Sequence, residues 1–295
     1  MTVAERAGLG SFSDVDATQQ ATALIAALDQ QASLPAVQRL RATAADLLRP
    51  HVGDRLLDVG CGTGEVARAL AGFVGAHGSV VGVEASAAML HEARRRTDDA
   101  TLRVEFHPGD VSRLDFDDAT FHGVTCERVF QHLDHPDTAL AELVRVTRAG
   151  GRVVVIDTDW GMHAIHGADP RLTNRVVDCW ASHAANGWSG RRLPGPFVDA
   201  GLRELVVVAE TITTADHPRP TGPPFTTMAA TAERTGALSP EDARALVTQL
   251  ADAAERGQFL WAVTMFAVAG TRPPVSSASR ATAPDHQTHN PRKHP

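Results

Sequence analysis

Asp58 closes an apolar run, Leu56-Leu57-Asp58-Val59, and glycines at 60, 62 and 64 follow it at once, with Cys61 and Thr63 between them. Such glycines remove the Cβ where a chain bends sharply and let a ligand press on bare backbone before the helix expected over 65–73 begins. A dinucleotide loop spaces its glycines G-x-G-x-x-G instead, and the pyrophosphate that it cradles would be repelled by a carboxylate in the place of Asp58. Gly60, Gly62 and Gly64 behind Asp58 therefore favour a ligand that brings a cationic group to the loop. Roughly twenty residues on, a second apolar run, Ser79 to Val83, ends at Glu84, where a carboxylate can take both hydroxyls of a ribose.

Proton-transfer candidates lie further along. His132 has a side chain that titrates near neutral pH and could take a proton from a hydroxyl or a carbon acid. Capping a helix or packing on the sheet is its other reading. The stretch Asp157-Thr158-Asp159-Trp160-Gly161-Met162-His163-Ala164-Ile165-His166 gathers carboxylates and imidazoles that could hold a divalent cation under a catechol. A polar surface loop is the commoner explanation, and no metal is expected. Trp160 could wall a flat substrate, with core packing as the equal alternative. Trp188 and Arg191-Arg192 could add to the rim, or the arginines could simply open a solvated helix.

These groups need strands and helices to hold them. Leu102–Phe106, Phe121–Glu127 and Arg152–Asp157 read as strands, the last a continuous apolar run of the kind that a doubly covered central strand shows. Late strands are expected near Leu205–Ala209 and Phe259–Ala269. Helices are expected over Gln19–Asp29, Ala36–Leu48 and Ala139–Thr147, the last stopped by Ala149-Gly150-Gly151. Asp169-Pro170 and Ser239-Pro240 each place an N-cap before a proline, opening helices to Ala185 and Glu255.

The D-x-G-x-G-x-G pattern at 58–64 resembles motif I of the class I S-adenosylmethionine-dependent methyltransferases, including the menaquinone/ubiquinone-type and natural-product enzymes. Glu84-Ala85-Ser86-Ala87-Ala88-Met89-Leu90 is similar to motif II, and Gly109-Asp110-Val111 to the segment that meets the adenine amino group. The resemblance spans about 35–272 and is strongest between 56 and 157. It implies a Rossmann-like, doubly wound α/β fold: a seven-stranded sheet, mostly parallel with an antiparallel last strand, plus N-terminal helices and a helical lid insert. It implies S-adenosyl-L-methionine as cofactor, with Glu84 on the ribose, Ala85 and Met89 near the adenine, and the backbone of Glu127 and Arg128 near the methionine part. Gln131-His132 falls where many relatives carry a histidine pair, which puts Gln131 on the acceptor side; Asp159 and Trp160, directly after the fifth strand, and Trp188 are expected there as well. Ala149 departs mildly from the family's proline-glycine-glycine. A cyclisation catalyst holding the cofactor as a scaffold, or a non-catalytic regulatory protein that binds it, would carry the same motifs.

Composition narrows the partners. With 295 residues and 43% hydrophobic content, one large core suffices. One domain over 1–272 is expected: helices over 15–50, a cofactor core over 51–158, lid elements over 159–257 and a last strand over 259–271. A Pro-rich bridge, Pro218 to Pro224, crosses the lid region, and the Pro-, Ser-, Thr- and His-rich tail 273–295 reads as disordered. The net charge of −7 disfavours nucleic acid, so a small-molecule acceptor is the expected partner, and a homo-oligomer is allowed. No apolar run reaches the roughly 20 residues of a membrane span and no secretory segment opens the chain, so a cytoplasmic setting is expected. Cys61, Cys126 and Cys179 are too scattered for a disulfide frame and read as three small buried side chains. Tyrosine is absent and the only lysine is Lys293, which removes the Tyr-Lys pair of short-chain dehydrogenases and any Schiff-base lysine in a folded pocket.

Overall fold

The structure, a computed structural model, describes residues 21–97, 102–213 and 225–274. Two helices come first, α1 (Ala21–Ala32) and α2 (Pro35–Leu48). Strands and helices then alternate except between β3 and β4: β1 (Arg55–Val59), α3 (Glu65–Val74), β2 (Ser79–Glu84), α4 (Ala87–Arg96), β3 (Val104–Pro108), β4 (Phe121–Glu127), α5 (Pro136–Val146) and β5 (Thr147–His166). The remainder is α6 (Pro170–His183), α7 (Ser189–Arg192), α8 (Pro194–Asp199), β6 (Arg203–Thr213), α9 (Phe225–Arg234), α10 (Pro240–Glu255) and β7 (Leu260–Thr271).

The strands form one seven-stranded sheet in the order β3-β2-β1-β4-β5-β7-β6, parallel up to β5, with β7 antiparallel to both β5 and β6. This is the Rossmann-like sheet expected from the motifs. Strands β1, β4 and the inner part of β5 are buried on both faces, which explains their unbroken apolar runs. One layer packs Leu40, Leu48, Leu70, Val176, Met228 and Leu246 against the sheet, and the other packs Phe121, Phe130, Leu140, Leu143 and Phe197. Helix α2 reaches the first layer through Val37, Leu40, Ala44 and Leu48, a three-and-four spacing that lines up one face. Asp169 and Ser239 cap α6 and α10 by accepting from the amides of Arg171 and Asp242, as their positions before proline led one to expect.

Three expectations change. Strand β5 does not stop at Asp157: it runs to His166, with a bulge between Asp159 and Ala164, because β7 pairs with it as far as His166↔Leu260. The stretch 157–166 is therefore strand, and beyond Trp160 its residues alternate between half-buried and exposed. Thr147 pairs with Phe121 and opens β5 rather than closing α5. Cys61 and Cys126 are buried, but Cys179 is only partly so and touches Thr235 Oγ1 at 3.3 Å. The bridge 218–224, the residues before 21 and the tail from 275 lie outside the described residues.

Candidate active site

Strand order reverses at β1, which has β2 on one side and β4 on the other, and ligands of open α/β sheets bind beyond the strand ends at such a point. Register decides what gathers there. Val59 lies between Val83 of β2 and Cys126 of β4, so the next residues on the two neighbours are Glu84 and Glu127. Three carboxylates, those of Asp58, Glu84 and Glu127, thus converge on the glycine loop.

Each carboxylate is held differently. Glu127 makes a bidentate pair with Arg41, Nε to Oε2 at 2.7 Å and Nη2 to Oε1 at 2.8 Å, and the Nη1 of Arg41 reaches Glu65 at 2.8 Å. Burial disfavours the Glu127 charge, yet Arg41 and Arg128 outweigh it and hold its carboxyl below the usual range. Glu84 accepts from the amides of Gly62 and Ser86, each at 3.0 Å, and keeps acceptor capacity on both oxygens. Asp58 is 1% exposed, and its Oδ2 is buried without a hydrogen-bond partner among the described residues. Burial first, then the charge of Glu127, pushes its carboxyl up to about 7.

The glycines divide the work. A Cβ on Gly60 would stand 2.2 Å from Val129 Cγ2, and one on Gly64 would stand 2.6 Å from Phe106 Cζ, so these two admit the protein's own side chains. Gly62, at φ +51°, would meet only Leu28 Cδ1, at 3.9 Å. Its face is the bare backbone onto which a ligand can settle. Helix α1 covers it: Gln31 accepts from Arg128 Nη1, and Asp29 pairs with Arg96 at 2.6 and 2.9 Å. Arg128 itself sits at φ +58°, its amide donating to Ile156 O at 2.7 Å.

On the adenine side expected from the motifs, Ala85 is exposed, while Met89 and Val111 are buried. Cys61 is also buried, its thiol pushed up by burial and by Asp58. The amide of Gly109 donates to Glu84 O at 3.2 Å. Asp110 is exposed and accepts from the amide and hydroxyl of Ser112 through Oδ1 only.

The acceptor-side residues cluster as well. A short 3-10 turn, Phe130–His132, places Gln131 and His132 beyond β4. Gln131 is buried: its amide donates to Asp157 Oδ2 at 2.7 Å, its Oε1 accepts from Trp160 Nε1 at 2.8 Å, and its Nε2 lies 3.1 Å from His132 Nε2. Asp157 also accepts from Ser189 Oγ at 2.7 Å, and burial pushes its carboxyl up to about 7 against these bonds. Asp159, placed on the acceptor side from sequence, is instead fully buried and paired with both Arg191 Nε and Nη2. Of the two buried carboxylates of β5, Asp157 is held by amides and a hydroxyl, whereas Asp159 takes the cation that α7 supplies, Arg191. Arg191 thus pairs with the buried Asp159 while its own side chain stays 45% exposed in α7. Trp188 packs over Gly161, where a Cβ would stand 2.5 Å from its Nε1, and Arg192 lies over its ring at 5.3 Å.

Arg41 was not among the expected residues, although it shares the α2 face of Val37, Ala44 and Leu48, where an arginine needs a buried partner. His163 stood in the stretch 157–166 considered for acceptor or metal, whereas Trp180, Trp261 and Phe225 were missed. Their rings form an edge-to-face series with Trp160: Trp160–Trp180 6.2 Å, Trp160–His163 5.8 Å, His163–Trp261 5.9 Å and Phe225–Trp261 5.7 Å between centroids.

Residues 56–151, the span of the glycine loop, Glu84 and Glu127, match the family model described as "Methyltransferase domain". Residues 56–151 carry a methyltransferase domain. The chain is 36% identical over 185 residues to an uncharacterized 37.1 kDa protein in a transposon of Streptomyces fradiae, a match covering 61% of this chain and 52% of that protein. It is 39% identical over 122 residues to demethylmenaquinone methyltransferase of Clavibacter sepedonicus, covering 41% and 47%. The chain thus spans about half the length of these curated relatives. A solved putative methyltransferase from Bacillus halodurans superposes with TM-score 0.54 at 20% identity, covering 79% of this chain and 99% of that one, which speaks for the fold of the methyltransferase domain. The residues fit the family's cofactor: a sulfonium and an ammonium are the kind of partner that the orphaned Asp58 Oδ2 lacks, and the open face of Gly62 leaves room for them.

Proposed function

We propose that the chain transfers a methyl group from S-adenosylmethionine to a small organic acceptor, at oxygen, nitrogen or carbon. The observation that carries this reading is the set of three carboxylates around the open Gly62 face, one of them with a buried oxygen lacking a partner. When bound, the cofactor supplies a methyl group already activated on a cationic sulfur. The protein's part is then to bind, orient, exclude water and, for an acidic acceptor, remove a proton.

In this reading Asp58 faces the cationic end, Glu84 takes the ribose hydroxyls and Asp110 takes the adenine amino group through its free Oδ2. Gly60, Cys61, Gly62 and Gly64 form the cradle, Ala85, Met89, Gly109 and Val111 line the adenine side, and Glu127 and Arg128 close the methionine side. Helix α1 shuts water out through Leu28 and the Gln31–Arg128 contact. His132 takes the acceptor proton, with Gln131 fixing its ring and Trp160 walling the acceptor. Residues 1–272 act as one unit, the helices after β5 forming the acceptor side, where Asn186 N donates to Gln131 O at 3.1 Å and Trp160 N donates to Gly187 O at 2.9 Å.

Heat denaturation with added ligand tests the cofactor half of this reading. S-adenosylhomocysteine should raise the melting temperature, whereas NADPH, whose extra phosphate would meet Glu84, should not. Equal stabilisation by both would remove the assignment. Incubation of a metabolite pool with methyl-labelled cofactor, followed by mass spectrometry, then tests turnover.

A further inference from the structure

Every polar atom of Gln131 is engaged. Its backbone is pinned from both sides, the amide donating to Asp157 Oδ2 at 2.7 Å and the carbonyl accepting from Asn186 N at 3.1 Å. In the side chain, Oε1 accepts from Trp160 Nε1 at 2.8 Å, while Nε2 donates to Arg128 O at 3.2 Å and lies 3.1 Å from His132 Nε2. The two ends of a side-chain amide are alike in shape, so only their partners decide which end points where. Two partners decide it independently here. An indole N–H donates and never accepts, whereas a backbone carbonyl accepts and never donates. Turning the amide over would set an N–H against the Trp160 N–H and an oxygen against Arg128 O, around a residue that is buried.

The third contact then has no freedom left. Gln131 Nε2 can only donate, so His132 Nε2 has to accept, and the hydrogen of the neutral imidazole sits on Nδ1. The opposite tautomer would bring two N–H groups face to face across 3.1 Å and leave the Gln131 donor without an acceptor on that side.

We infer that Trp160 and the Arg128 carbonyl, acting through Gln131, fix His132 in the tautomer that carries its hydrogen on Nδ1 and its basic lone pair on Nε2. Gln131 and Trp160 are thereby positioning residues for proton transfer, since the nitrogen beside Gln131 is the one with a lone pair to offer. In that transfer the O–H or C–H bond of the acceptor breaks, its electron pair stays on the acceptor atom, and the proton bonds to Nε2, where the Gln131 N–H gives way. This consequence rests on the reading of His132 as the acceptor's base. The tautomer does not, because it follows from the hydrogen bonds of the ligand-free protein.

Nuclear magnetic resonance of the full chain with nitrogen-15 histidine reads the tautomer directly, through two-bond proton–nitrogen correlations that tell a protonated ring nitrogen from a bare one. The spectrum is taken without cofactor or acceptor at about pH 8.5, above the ordinary imidazole range. The chain has 14 histidines, and the signals of His132 are those that vanish in His132→Ala. The wild type should hold the Nδ1–H form in at least about tenfold excess, the effect of one hydrogen bond made against one left unmade. In Gln131→Met, of similar length but without the amide, the excess should fall below about threefold. Gln131→Glu, whose ionised carboxylate only accepts, should move the hydrogen to Nε2 and serves equally if the Met variant does not fold. A wild type without an excess on Nδ1, or an excess undiminished in the variant that folds, would overturn the inference. If the wild type keeps the Nδ1 hydrogen while His132→Ala turns over normally with methyl-labelled cofactor, the base reading falls and the tautomer stands.

Discussion

The indole nitrogen of Trp160 donates to the side-chain oxygen of Gln131 across 2.8 Å. This bond joins the extension of β5 to the turn beyond β4, and through the Gln131 amide nitrogen it reaches His132. Trp160→Phe keeps the ring and removes the N–H, leaving a buried carbonyl oxygen unpaired. Denaturant unfolding should show a loss of about 1–3 kcal/mol. Turnover should fall with the affinity for S-adenosylhomocysteine unchanged, because Asp58, Glu84 and the glycine loop are untouched.

His132 carries the proton-transfer proposal. With a hydroxyl or acidic carbon acceptor, His132→Ala should lower kcat by about two to four powers of ten with cofactor affinity nearly constant. Near-normal turnover would mean that the acceptor is nucleophilic already and that positioning alone suffices.

The division of labour among the glycines separates folding from binding. Gly60→Ala and Gly64→Ala drive a Cβ into Val129 and Phe106, so both should lower the melting temperature sharply. Gly62→Val meets only Leu28 and should cost the fold about 1–2 kcal/mol for its left-handed backbone. Its affinity for S-adenosylhomocysteine should nonetheless be lost, as titration calorimetry would show. Retained binding would mean that the loop serves the turn alone.

Asp58 gives the pH dependence. Its folded carboxyl is raised to about 7, so its contribution to the stability of the ligand-free protein is full at acid pH and is lost as pH rises through about 7. A cation beside Asp58 reverses the balance by favouring the carboxylate, and binding then releases a proton below that pH. The affinity for S-adenosylhomocysteine should therefore rise between about pH 6 and pH 7, by at most about tenfold per unit, and level off above. Asp58→Asn should bind more weakly and lose the slope. A slope that survives the substitution would belong to another group, of which Asp157, also near 7, is the first to examine.

Local chemistry in the chain determined the parallel half of the sheet. Asp58 with its three glycines, Glu84 at the next strand end and the unbroken apolar runs of β1, β4 and β5 each depend on neighbours close in sequence, so the parallel strands could be read from them, while the doubly wound sheet and the cofactor class followed from the family resemblance that these motifs carry. The stretch 161–166 becomes a strand only because β7, a hundred residues later, supplies backbone partners, and the alternation of half-buried and exposed residues along it follows from that pairing. Long-range pairing also decided the rest. Arg41 meets Glu127 across 86 positions and Arg191 meets Asp159 across 32, and which buried carboxylate obtains a cation depends on where helices dock, not on spacing. The bare nitrogens of His163 became visible only once strand β7 and helices α6 and α9 had enclosed them, since burial is a property of the packed molecule and not of a residue type.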